Sequence, residues 1–147
     1  MKLIKALESG FIGACTLTLI HELVRRKIPE APRMDLLGMN ALSKILRKFS
    51  SKIPERNQLF GWTLAGDIVG NTLYYSLAGA GDKKTSLSKG IMLGLTAGLG
   101  AVMLPKKVGL SDAPSSRTPQ TKIMTVAWYV IGGMVTAAVY KVLEKRN

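Results

Sequence analysis

The chain has 147 residues, 47% of them apolar and 20% charged, with a formal charge of +12 at pH 7. Its length suits one domain, and a positive mean hydropathy with apolar residues gathered into long blocks argues against an ordinary soluble fold. The excess of Lys and Arg lies almost wholly between those blocks, which excludes a nucleic-acid partner in favour of membrane orientation and contact with anionic lipid headgroups.

The first apolar block predicts a membrane span over about 5–26. Its start resembles a secretory signal, with Gly13-Ala14-Cys15 placed like a cleavage site, but the apolar run continues through Leu17, Leu19, Ile20, Leu23 and Val24 and reads as a retained helix. Cys15 is the single cysteine and has no partner for an internal disulfide. Thr16 and Thr18 lie inside the block. His21 and Glu22 close it just before Arg25, Arg26 and Lys27, which offer Glu22 a surface ion pair. Arg33 follows the rigid Ala31-Pro32 step and precedes Asp35. There it can take a lipid phosphate or pair with Asp35, a residue also suited to cap the next helix.

Residues 34–49 predict an amphipathic helix, with Met34, Leu37, Ala41, Leu42, Ile45, Leu46 and Phe49 on one stripe and Lys44, Arg47 and Lys48 elsewhere on its surface. It is expected either to lie at the interface, its cations on anionic headgroups, or to pack on the other helices. A second span is predicted over about 58–80 and carries Asp67 and Asn71 one helical turn apart. A carboxylate at that depth marks an ion or substrate path, or is a protonated group that pins helices together. Thr16 and Thr18 sit at a comparable depth and are expected either to satisfy Asp67 or to bond back to their own helix. Trp62, Tyr74, Tyr75, Trp128, Tyr129 and Tyr140 read as interfacial anchors.

The short connection 79–88 predicts that the flanking helices are antiparallel neighbours. A third span is predicted over about 88–105 and a fourth over about 121–143, joined by a Pro-, Ser- and Thr-rich stretch (108–121) expected to be an irregular, solvated and mobile loop. Small residues recur every four positions: Gly10 and Ala14, Gly66 and Gly70, then Gly90, Gly94 and Gly98, then Gly133 and Ala137, with Gly132 beside the last pair. Such faces serve close helix packing, within one chain or between copies.

The two halves of the chain correspond. Aligning Gly10 with Gly90 brings Thr16 onto Thr96 and Arg25-Arg26-Lys27 onto Pro105-Lys106-Lys107; aligning Trp62 with Trp128 brings Gly66 onto Gly132 and Tyr74 onto Tyr140. In those registers His21 and Glu22 meet Ala101 and Val102, and Asp67 and Asn71 meet Gly133 and Ala137. Intramembrane polarity is thus confined to the first half. The expected fold is one all-α membrane domain over 1–147, a four-helix bundle of two parallel two-helix repeats (about 3–81 and 86–146) with the amphipathic helix inserted in the first. Of the 21 Lys and Arg residues, 13 lie in the first and third connections, which favours those connections in the cytoplasm.

The functional expectation is an oligomeric channel or transporter-like protein of the bacterial inner membrane, with an ion or substrate seam formed by Asp67, Asn71, Thr16, Thr18, His21 and Glu22 and lipid contacts at Arg33, Lys44, Arg47 and Lys48. The alternative is a non-catalytic scaffold that binds lipid, a second copy or a partner membrane protein. One histidine and one cysteine, no paired metal-ligand spacing and no phosphate loop predict no enzyme, no metal and no cofactor.

Overall fold

The computed structural model describes residues 2–49, 52–80 and 82–145, with Lys83 described by its backbone alone. Among them are six α-helices and no strand: α1 (Lys2–Val24), α2 (Met34–Phe49), α3 (Arg56–Ser76), α4 (Ser86–Lys107), α5 (Ala113–Ser116) and α6 (Pro119–Lys145). The 3-10 turns Leu77–Gly79 and Lys83–Thr85 link α3 to α4.

Helices α1, α4 and α6 are each long and apolar enough to cross a membrane. Helix α3 has the length but is not in that group, carrying Arg56, Asn57 and Gln58 in its first turn and Asp67 and Asn71 further in. The sorting of side chains agrees with lipid as the solvent. Phe11, Leu19, Met92, Leu99, Ile123 and Val142 face outward, whereas Ser9, His21, Thr125 and Thr136 are buried. A water-soluble core sorts the other way; helices in hydrocarbon gain nothing by hiding Leu but must satisfy their polar groups inside.

The long helices pack side by side in the order α3, α1, α6, α4, with neighbours antiparallel. Glycine makes the close approaches. A Cβ added at Gly94 would lie 2.5 Å from Val130 Cα, and one at Gly98 2.7 Å from Val126 Cα, so the Gly90, Gly94 and Gly98 face is used within the chain, against α6. Helix α1 uses Gly10 toward α3 and Gly13 toward Gly132 and Thr136 of α6. Gly66 and Gly70 differ: a Cβ at either would meet nothing within 4 Å.

Three sequence expectations are corrected. The helices flanking 79–88 are antiparallel but not neighbours: α3 and α4 stand at the two ends of the row, because α1 packs on both α3 and α6 and the glycine face of α4 packs on α6. Tyr75, Tyr129 and Tyr140 are not interfacial anchors but core residues, and the Tyr75 hydroxyl donates to the Tyr129 carbonyl oxygen at 2.7 Å. Glycines on the facing helices leave room that only a large side chain fills; a Cβ at Gly132 would touch the Tyr75 ring. The stretch 108–121 is likewise not a solvated loop. It contains α5, buries Pro114 and Ser115, and folds onto the first connection: the Arg33 amide donates to the Pro114 carbonyl at 2.8 Å, the Thr121 hydroxyl to the Glu30 carbonyl at 2.7 Å, and the Arg117 guanidinium to the Pro29 and Ala31 carbonyls. Ser and Thr there bridge backbone groups rather than meet water.

Helix α2 crosses the end of the row. It packs on α3, and its Lys44 ammonium donates to the carbonyls of Val108 and Gly109, the latter in the left-handed conformation (φ +73°) that ends α4.

Candidate functional site

At the end of the row where α1 stops and α3 begins, α1, α2 and α3 enclose a cavity of about 40 Å³. Its polar walls are Thr18, His21 and Glu22 from α1, Asp35 from α2, and Thr63 and Asp67 from α3. The spacings explain the convergence. Thr18, His21 and Glu22 share one face at i, i+3 and i+4, and Thr63 and Asp67 share another at i, i+4. Gly38 admits α2 to the site, since a Cβ there would stand 2.3 Å from Thr63 Cγ2.

The side chains around this cavity fall into two electrostatic classes. Glu22 and Asp35 are fully engaged: Arg25 donates to both oxygens of Glu22 at 3.0 and 2.6 Å, and Arg33 to both oxygens of Asp35 at 2.9 and 2.7 Å, with Arg25 a further 3.6 Å from Asp35. Burial works to raise the Asp35 carboxyl, but the Arg33 hydrogen bond and the charges of Arg25 and Arg33 outweigh it and hold the group below its ordinary value. The other class is short of partners. Thr18 Oγ1, His21 Nε2 and Thr63 Oγ1 are buried with no hydrogen-bond partner among the described residues, and Asp67 receives the Asn71 side-chain amide at 3.0 Å. The His21 ring packs edge-on against Tyr129, with centroids 5.9 Å apart. Leaving three buried polar atoms unpaired in one place is costly, and waters are the usual occupants of such a polar void.

Comparison with known protein families, curated proteins and solved structures gives no match for the chain. The geometry must therefore carry the functional reading. At roughly 10–15 Å³ per water, the cavity holds about three waters and is far too small for an organic substrate. Hydroxyls and a neutral imidazole can each donate or accept, and a carboxylate accepts, so the walls suit water, a proton or one small cation. Among the described residues no three His, Cys, Asp or Glu side chains are grouped to hold a metal ion.

Of the six seam residues expected from sequence, Thr18, His21, Glu22 and Asp67 meet at this cavity. Asn71 stands beside it, bonded to Asp67, and lines a second, apolar groove of about 510 Å³ between α3 and α4 with Tyr74 and Thr96. Thr16 is not part of the site, because its hydroxyl bonds back to the Ile12 carbonyl at 2.8 Å. Glu22 is present as an ion-paired wall rather than an open acid. Among the expected lipid contacts, Arg33 is bonded to Asp35 and Lys44 to the end of α4, while Arg47 and Lys48 lie exposed on α2. Thr63 and the cavity role of Asp35 escape sequence reasoning. The one available signal is Thr63 lying a turn before Asp67 on the same helical face.

Proposed function

We propose that the protein is a four-span membrane protein of channel or transporter-like type, in which the Asp67 cavity of the first helical repeat carries protons or one small cation. The observation that supports this reading is the convergence of Thr18 Oγ1, His21 Nε2 and Thr63 Oγ1, all buried and unpartnered, on the void that Asp67 also lines. A polar void inside apolar helices is expensive unless something passes through or binds there.

The correspondence between the halves supports it further. Positions that align with Thr18, Thr63 and Asp67 are Gly98, Tyr129 and Gly133, and in the second half the helices meet backbone to backbone at those levels. Where the second hairpin is closed by glycine, the first is held open by polar side chains. The Asp67–Asn71 hydrogen bond joins the enclosed cavity to the groove between α3 and α4, giving protonation at Asp67 a direct mechanical link to whatever the groove holds. In this reading α3 is the fourth span, its Asp67 tolerated because it faces α1 and α2 rather than lipid.

The test is flux in proteoliposomes carrying an internal pH dye, with a potassium diffusion potential as the driving force. Wild-type protein is expected to acidify or alkalinise the lumen according to the imposed potential, and Asp67→Asn to lower that rate by at least tenfold with the fold intact by circular dichroism. Equal rates for wild type, Asp67→Asn and empty vesicles would overturn the transport reading. One observation favours a scaffold instead: the open Gly66 and Gly70 face of α3, flanked by exposed Trp62, Val69 and Leu73, is shaped to receive another helix in lipid. In that case Gly70→Leu abolishes a detergent-stable oligomer while Asp67→Asn changes nothing.

A further inference from the structure

Beside the Asp67 cavity, and sharing Asp35 and Phe60 with it, lies a more open pocket of about 160 Å³ walled by Arg25, Arg33, Arg56 and Asn57. Three guanidinium groups in one small concavity repel each other unless anions stand among them. Two of the three are already held. Arg25 is clamped to Glu22, and Arg33 to Asp35, each through Nε and Nη2. A guanidinium has five N–H donors, so each clamp fixes the side chain while leaving donors unspent. Arg56, at the start of α3, makes no ion pair or side-chain hydrogen bond among the described residues. Asp35 on the wall and Glu22 behind Arg25 balance two of the three positive charges, and one is left over.

The position in the fold narrows the anion. The pocket sits where the apolar α1 ends at Val24 and α3 begins at Arg56, with Leu23, Ile53 and Trp62 exposed nearby. That is the level at which the phosphates of a bilayer lie. Planar guanidinium forks match phosphate oxygens in pairs, and Asn57 adds an amide donor.

We infer that the pocket formed by Arg25, Arg33, Arg56 and Asn57 binds a phosphate group, carried to it by an anionic phospholipid headgroup. The exposed cations Lys44, Arg47 and Lys48 of α2 are not part of this site. The inference is independent of transport through Asp67: it survives if Asp67→Asn leaves flux unchanged.

Native mass spectrometry of the full chain in detergent, titrated with phosphatidylglycerol or phosphatidylcholine, tests it. The wild type is expected to retain one phosphatidylglycerol in preference to phosphatidylcholine. Arg56→Gln, which removes no ion pair or side-chain hydrogen bond among the described residues, weakens that retention about tenfold, the loss of one charge-assisted pair of bonds. Arg47→Gln removes the same charge from α2 and changes retention less than twofold. Competition by millimolar inorganic phosphate with the same dependence on Arg56, without lipid retention, keeps the phosphate chemistry and assigns its source to solution. Equal losses for Arg56→Gln and Arg47→Gln, or no binding of either ligand, would overturn the site.

Discussion

Alanine at Gly133 probes the helix row at its tightest backbone approach. A Cβ there would stand 2.0 Å from the Gly90 carbonyl oxygen, 2.9 Å from its carbon and 3.4 Å from the Gly94 nitrogen, all of them backbone atoms. Backbone cannot rotate aside as a side chain can, so α4 and α6 must part by about 1.4 Å or more to restore ordinary contact distance. Overpacking of a well-fitted interface costs about 1–3 kcal/mol, and the absence of a yielding side chain places this case near 3. Better helix propensity returns up to about 1 kcal/mol, for a net loss of about 2 kcal/mol. The same substitution at Gly70, where the new methyl meets nothing within 4 Å, collects only the propensity gain, about 0.5–1 kcal/mol of stabilisation. Unfolding by sodium dodecyl sulfate in mixed micelles, followed by helical circular dichroism, should therefore separate the two variants by about 3 kcal/mol, Gly70→Ala being the more stable. Equal stability, or Gly70→Ala the weaker, would refute the packing argument.

Other expectations follow from the ion network and the core. Asp35 has a side chain only 4% exposed, while its partner Arg33 is 31% exposed, so Asp35→Asn should destabilise by about 2–3 kcal/mol, short of the full penalty for a buried pair. Because the Asp35 carboxyl is held below its ordinary 3.8, its contribution is present at neutral pH and fades as pH falls through and below that value; an acid melt of wild type against Asp35→Asn should converge there. Convergence at neutral pH instead would remove the network as a source of stability. Tyr75→Phe deletes the donor to the Tyr129 carbonyl and should cost about 1 kcal/mol in the same detergent assay, with no shift meaning that the hydroxyl is not engaged.

The parts of this molecule that were legible in the sequence share a cause: they depend on local spacing. The paired face of Asp67 and Asn71, the polar end of α1 at His21 and Glu22, and the existence of a helix over Met34–Phe49 all follow from helical periodicity. What was not legible depends on which helix lies opposite. Gly70 and Gly94 sit in the same small-residue spacing, yet one is open and the other meets Val130 at backbone distance, because α6 covers α4 while α3 keeps an outer face uncovered. Tyrosine gives no sequence sign of whether its ring stands at the interface or fills the gap a facing glycine leaves, as Tyr75 does at Gly132. Thr63 could not be singled out because an isolated threonine in a helix normally bonds to its own backbone, as Thr16 and Thr72 do. The 108–121 stretch has the composition of a solvated loop, and only the carbonyls of Pro29, Glu30 and Ala31 opposite it turn its Arg, Ser and Thr inward.

The central claim is that α3 crosses lipid with Asp67 turned toward α1 and α2. Nitroxide labels at Val69, Leu73 and Arg47, each introduced as a single cysteine in a Cys15→Ser background and reconstituted in bilayers, test it by relaxation with dissolved oxygen against a water-soluble nickel complex. All three sites are exposed on the isolated chain, so only the surrounding phase distinguishes them. The labels at Val69 and Leu73 should respond to oxygen and be shielded from nickel, and the label at Arg47 should respond to nickel. Nickel accessibility at Val69 and Leu73 equal to that at Arg47 would place α3 in water and contradict the account.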